Sequence, residues 1–150
     1  MATALNMTLK LKQDPASLAL LQQVKAIFAS EIQPKIDNAL RDSEIVHFAR
    51  VVVIDDQYIQ VLTEFDGDKQ VYTTFFLSAL PDVFKTIFSL SEGVPSWEEL
   101  QDPDVFYKVS SGLNVRALGS KGDDATAGFL FQAHGNKTVK EIRAALGANR

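Results

Sequence analysis

An α+β fold, one antiparallel sheet with helices packed on it, is what this sequence predicts, on three observations. Leu5, Met7, Leu9 and Leu11 alternate with Asn6, Thr8, Lys10 and Lys12, the period of a strand with one buried face. Two runs rich in β-branched and aromatic residues, Ile45 to Ile54 and Tyr58 to Phe65, flank Asp55-Asp56-Gln57 and read as a hairpin. Between and after these runs, apolar residues recur at helical spacing. With 150 residues and 46% hydrophobic content, residues 1–150 read as one domain able to bury a core without disulfides.

The first helix opens at Asp14-Pro15, an N-cap oxygen followed by a first-turn proline, and runs through Leu18, Leu21, Val24, Ile27, Phe28 and Ile32. Pro34 predicts a kink or an end, with Ile36 and Leu40 marking a further turn or two. After the hairpin, Asp66-Gly67-Asp68 offers a turn and a capping carboxylate, a role that falls to Asp66. The second helix then carries Val71, Phe75, Leu80, Phe84, Ile87 and Phe88 as its apolar stripe, bent or split at Pro81.

Ser96-Trp97-Glu98-Glu99 is a capping box and Asp102-Pro103 a second cap-plus-proline start, so one or two short helices are inserted here. Gly119 to Asp124 reads as an exposed loop and Gly128 to Ala133 as a fourth strand. Thr138-Val139-Lys140-Glu141 opens a short final helix with Val139, Ile142 and Leu146 inward and Gly147 at its end. The order is that of a ferredoxin-like βαββαβ unit with inserted short helices and a C-terminal helix.

Composition removes several function classes. A net charge of -4 with no long basic run disfavours a nucleic-acid partner. The absence of cysteine rules out thiolate nucleophiles, disulfides and cysteine-ligated metals. The alternation over residues 1–12 does not read as a signal peptide, and apolar runs fall far short of the roughly 20 residues that cross a bilayer, so a cytoplasmic protein without membrane spans is expected. No phosphate-cradling glycine loop, His-Glu-x-x-His or Gly-x-Ser-x-Gly occurs.

The second strand predicts a partner. Val46, Phe48, Val52 and Ile54 fall on one side by simple alternation, while Ile45, Ala49, Val51 and Val53 fall on the other, so both faces are apolar. Several such side chains left in water would forgo several kcal/mol, at about 25 cal/mol per Å². A second copy of the chain is the simplest cover, and the inserted helices or the last helix folding back is the alternative.

The strand Val46-His47-Phe48-Ala49-Arg50-Val51-Val52-Val53-Ile54, leading through the hairpin to Thr63-Glu64-Phe65-Asp66-Gly67, resembles the dimeric α+β barrel superfamily. The order of elements extends the likeness over residues 5–135, and its specific part is residues 46–68. The resemblance implies a homodimer of ferredoxin-like subunits with their sheets face to face. It also implies haem as a candidate cofactor, because dye-decolourising peroxidases and chlorite dismutases in that superfamily hold the iron through a histidine. Asp66-Gly67 matches the end of the peroxidases' Gly-x-x-Asp-Gly motif, but Thr63 stands where the first glycine belongs, so no catalytic assignment is carried over.

The candidate ligand-binding residues are His47, Arg50, Trp97, Tyr107 and His134. His47 and His134 are the only histidines, each suited to general-base or metal-ligand work, and in the haem reading one of them is the axial ligand with Arg50 assisting. Arg50, in a valine-rich strand, is an anion clamp, the partner of Glu64 on the next strand, or a side chain that snorkels to the sheet edge. Three positions from Arg50, His47 is expected on the opposite face. Trp97, Phe106 and Tyr107 either wall an apolar pocket or anchor the inserted helices. The expected function is binding of a small, partly apolar molecule in a cleft between sheet and helices, with haem oxidation chemistry and a ligand-free structural module as alternatives.

Overall fold

A computed structural model of the chain, describing residues 2–120 and 128–147, has an α+β architecture. Among the described residues one antiparallel sheet holds three strands, β1 (Ala2–Lys10), β2 (Val46–Ile54) and β3 (Tyr58–Asp66), in the order β1-β3-β2. The helices are α1 (Pro15–Ile27), α2 (Gln33–Ser43), α3 (Lys69–Ala79), α4 (Pro81–Ser89), α5 (Trp97–Leu100), α6 (Pro103–Gly112) and α7 (Val139–Leu146). None of them is long and apolar enough to cross a membrane.

The hairpin register sets the two faces of the sheet. Val53 pairs with Ile59, Val51 with Val61 and Ala49 with Thr63, all facing the helices together with Leu5, Met7 and Leu9 of β1. The turn holds both Asp55 and Asp56 at positive φ, a conformation aspartate tolerates better than branched residues do. Gln22 and Lys25 of α1 bond the Asp56 carboxylate and so tether the turn to the first helix.

The core lies between the sheet and α3, α4 and α6. Phe65, Tyr72, Phe76, Phe84 and Phe106 form a chain of ring contacts through it, with centroids 4.0 Å apart for Phe65 and Tyr72 and 4.6 Å for Phe76 and Phe84. Asp68, not Asp66, caps α3, accepting from the backbone N–H groups of Gln70 and Val71. Starting α3 two residues after β3 rotates its stripe onto Tyr72, Thr73 and Phe76, and the predicted member Val71 is 64% exposed. Pro81 splits the helix into α3 and α4 as expected.

Pro34 acts differently from a simple kink. Its ring crowds the carbonyl four residues back and it offers no N–H, so the regular ladder fails there. Residues Phe28–Ile32 widen into a π-helical turn, with the Gln33 N–H bonded to the Phe28 carbonyl, and α2 restarts beyond it. The arm built from α1, this turn and α2 rests loosely on the sheet. Leu21 is its one buried side chain, while Val24, Phe28, Ile32, Ile36 and Leu40 are half-buried.

Gly128 to Ala133 forms no strand, contrary to expectation, because the edge of β1 it needed is already taken. The Thr8 N–H donates to the Leu113 carbonyl at 2.9 Å and the Val115 N–H to the Asn6 carbonyl at 2.8 Å, while Asn114 Oδ1 accepts from the Asn6 N–H at 2.7 Å. Farther along, the Glu92 N–H donates to the Lys10 carbonyl and the Lys12 N–H to the Leu90 carbonyl, each at 2.8 Å. Two short segments thus meet the edge groups that a fourth strand would have met. Gly128 instead approaches the Ala117 carbonyl so closely, at φ +75°, that a Cβ would lie 2.0 Å from its oxygen. The loop predicted over 119–124 lies outside the described residues from position 121 onward.

The capping boxes at Ser96 and Thr138 form as read, and Gly147 ends α7 at φ +64°. Leu146, predicted to point inward, is 76% exposed. Replacing Asn114 by alanine should cost about 1 kcal/mol of stability, and hydrogen exchange at the Asn6 amide, read by NMR, should accelerate while that of the β2–β3 ladder does not.

Candidate functional site

A cavity of about 550 Å³ lies between the helical arm and the sheet. Its floor is Ala49, Val51, Val61 and Thr63, its roof is Phe28, Ile36 and Leu40, and α4 closes the back with Val83, Phe84 and Ile87. Ala49 and Thr63 face each other across the hairpin, and the two small side chains leave the space that larger ones would fill. A smaller cavity of about 240 Å³ continues the space, sharing Phe28, Val51, Val83 and Ile87 and ending at Leu21, Val53 and Ile59. Six consecutive residues of β2, 46–51, line the larger cavity. Side chains alternate, so an unbroken run means that it opens along the free edge of this outer strand.

Thr63 is 1% exposed, and its hydroxyl meets no hydrogen-bond partner among the described residues. The Tyr72 phenol packs beside it, likewise without a well-formed hydrogen bond; burial drives its titration well above the ordinary tyrosine range, opposed by the hydrogen-bonding influence of the Thr63 hydroxyl. An unmatched buried hydroxyl is destabilising by about 1–3 kcal/mol unless something in the cavity bonds it.

At the open end, the register of β2 against β3 shifts between Val46 and Phe48, leaving His47 as the extra residue of a β-bulge. The bulge overturns the expectation that His47 and Arg50 lie on opposite faces. Both line the cavity rim, and both act electrostatically on Glu64. His47 Nε2 lies 2.8 Å from Asp66 Oδ1 in an almost fully buried pair. The other oxygen of Asp66 accepts from the Val139 N–H at 2.8 Å. Asp66 is thus no N-cap; it accepts from the first N–H of α7, 73 residues along the chain, while Thr138 caps that helix.

His134 stacks on His47 with centroids 5.3 Å apart and planes 13° from parallel. It is exposed and does not line the cavity. Trp97 packs against the core and Tyr107 is half-buried on α6, both outside the cavity wall. Three residues that the sequence did not single out join the rim. Arg41 pairs with Asp37 at 2.9 Å on the same helix, and Arg143 of α7 donates to the Arg41 carbonyl at 3.1 Å. Neither arginine carries a motif, and nothing in the surrounding sequence sets it apart.

The histidines do not fit haem. His47 Nε2 is engaged by Asp66 and one face of its ring is covered by His134, so it offers the cavity no free ε-nitrogen, and His134 lies outside the cavity wall. Among the described residues no three histidine, aspartate or glutamate side chains gather as metal ligands would.

No protein-family model, curated protein or solved structure matches the chain. The site is therefore read from its own chemistry.

Arg50 approaches Glu64 at 4.0 Å, the ion pair foreseen as its structural role. Burial raises the Glu64 carboxyl above its ordinary range, opposed by Arg50 and then His47, and one of its oxygens has no partner. A carboxyl raised in the folded state binds its proton more tightly there than when unfolded. Its burden on stability is therefore absent below the ordinary glutamate range and appears as pH rises through the folded value. Glu64→Gln should accordingly be at least as stable as the parent at pH 7 in urea titrations, with the two curves converging below about pH 4; a variant less stable at pH 7 would show that the Arg50 pair outweighs burial.

Proposed function

We propose that this protein binds a small, largely apolar molecule in the cavity between the helical arm and the sheet. The observation that carries this reading is the cavity itself: about 550 Å³, within the range of ligand sites, walled by aliphatic and aromatic side chains. It lies under a helical arm that buries only Leu21. An empty apolar space of this size forfeits dispersion contacts on every side, which an apolar guest would restore. The Thr63 hydroxyl supplies one polar handle, the usual way such sites fix orientation. Sparse packing of the arm also gives an entry route, because lifting α2 from β2 breaks few contacts.

Ala49→Leu tests the reading by filling the floor opposite Thr63. The variant should melt at or above the parent temperature and lose at least tenfold in affinity for N-phenyl-1-naphthylamine, a neutral apolar probe followed by fluorescence. Unchanged probe affinity in a folded variant would place binding elsewhere.

We further propose that two copies pair through the open face of the sheet, as in a dimeric barrel of ferredoxin-like subunits. Phe48, 68% exposed, stands on that face with Ile54 and Tyr58, which supports a partner there. Sedimentation equilibrium should give a dimer that Phe48→Asp converts to monomer; a parent that sediments as a monomer at all concentrations would remove the pairing without touching the cavity.

A further inference from the structure

Resting on the binding reading above, we infer that the ligand is a single-chain amphiphile with an anionic head, its head at the Arg41–Arg143 rim and its chain running under Phe28 into the smaller cavity. Charge distribution is the first ground. The chain as a whole is acidic, with 19 Asp and Glu against 15 Lys and Arg. The larger cavity reverses this sign: its charged lining consists of Arg41, Arg50 and Arg143 against the single carboxylate Asp37, and with Arg41 paired to Asp37 and Arg50 to Glu64 beside the lining, Arg143 is left in excess. Arg41 spends one side of its fork on Asp37, and Arg143 uses Nη1 on a backbone carbonyl, so each guanidinium keeps further N–H donors. Guanidinium groups converging on an apolar opening suit a carboxylate or phosphate.

Shape is the second ground. The two cavities share Phe28, Val51, Val83 and Ile87, which makes them successive compartments of one passage. The passage follows β2 from Val46 at the arginine rim to Val53 at the far end, a run of roughly 20 Å at strand rise. Polarity falls along it. Thr63 and the arginines lie in the first compartment, whereas the far one is walled mainly by Leu21, Val24, Val53, Ile59 and Leu90, with Thr86 and Lys25, the latter paired to Asp56, as its polar members. A compact molecule would leave the far compartment empty, and a neutral chain would leave the further N–H donors of Arg41 and Arg143 without an anion. One flexible chain with a charged head fills both.

The experiment titrates the full chain with saturated fatty acids from eight to sixteen carbons and their matching alcohols, below micellar concentrations, reading displacement of N-phenyl-1-naphthylamine. Affinity for the acids should rise about fourfold per methylene and then level off once the far compartment is full. Each acid should bind at least tenfold more tightly than its alcohol. Val53→Trp should bring the plateau to shorter chains while leaving the eight-carbon acid unaffected, and Arg41→Gln with Arg143→Gln should erase the acid-over-alcohol margin while leaving the alcohols unchanged. An alkyl phosphate of equal length shows which anion the rim prefers. If acids and alcohols bind alike in the parent, which needs no variant to fold, the anionic head is wrong although the cavity binds. If affinity does not grow with chain length, the passage is wrong. If the probe itself does not bind, the failure belongs to the cavity reading and both fall together.

Discussion

Pro34 has no N–H to give, and the first helix cannot pass it unchanged. The ladder slips to a five-residue bond between Phe28 and Gln33, and the helix resumes as α2. That local constraint holds the arm off the sheet. A straight helix with the stripe Leu21, Val24, Phe28 and Ile32 could have settled onto the hairpin along its whole length. The widened turn instead brings down Leu21 alone, and the half-buried remainder spans a space whose floor is made low by Ala49 and Thr63. Proline above and small side chains below produce the cavity together; either alone would leave a shallower one.

The far side of the molecule is tied off by a carboxylate. Asp66 ends β3 and bonds both the bulged His47 and the first N–H of α7, so one side chain fixes the strand end, the orientation of an imidazole and the docking of the last helix. The favourable placement of a negative charge at a helix N-terminus reinforces the second of these bonds. Docked in this way, α7 carries Arg143 to the end of α2, where it meets the carbonyl of Arg41. The rim of the cavity is therefore assembled from three distant parts of the chain, and its charge depends on a bond made at its edge, where His47 and Val139 both line the cavity.

Rigid and loose regions are divided accordingly. The aromatic chain from Phe65 to Phe106 and the edge of β1, where the Asn6 and Thr8 amides and the Asn6 and Lys10 carbonyls have partners, form the firm half. The helical arm and the edge of β2 form the loose half, where apolar side chains are half-buried and polar atoms such as the Thr63 hydroxyl lack partners. Binding surfaces commonly combine a firm floor with a cover that opens at low cost.

Local chemistry made much of this legible in advance. Cap residues at Asp14, Ser96, Asp102 and Thr138, the prolines at 34 and 81, and the alternation of β1 each act over a few neighbouring residues, so their consequences could be read from the sequence. His47 and Arg50 stand out in the sequence for the same reason, a charged or titratable group in a valine-rich strand being conspicuous wherever the strand lies, but simple alternation places them on opposite faces. What the sequence could not decide was which distant groups would meet. The bulge at His47 depends on its pairing with β3, the edge of β1 was won by Leu113 to Val115 and by Ser91 instead of Gly128 to Ala133, and Asp66 reached α7 instead of its own adjacent helix. Each is a competition among separated segments for one set of hydrogen bonds, and only the folded chain, where all competitors are present at once, determines the winner.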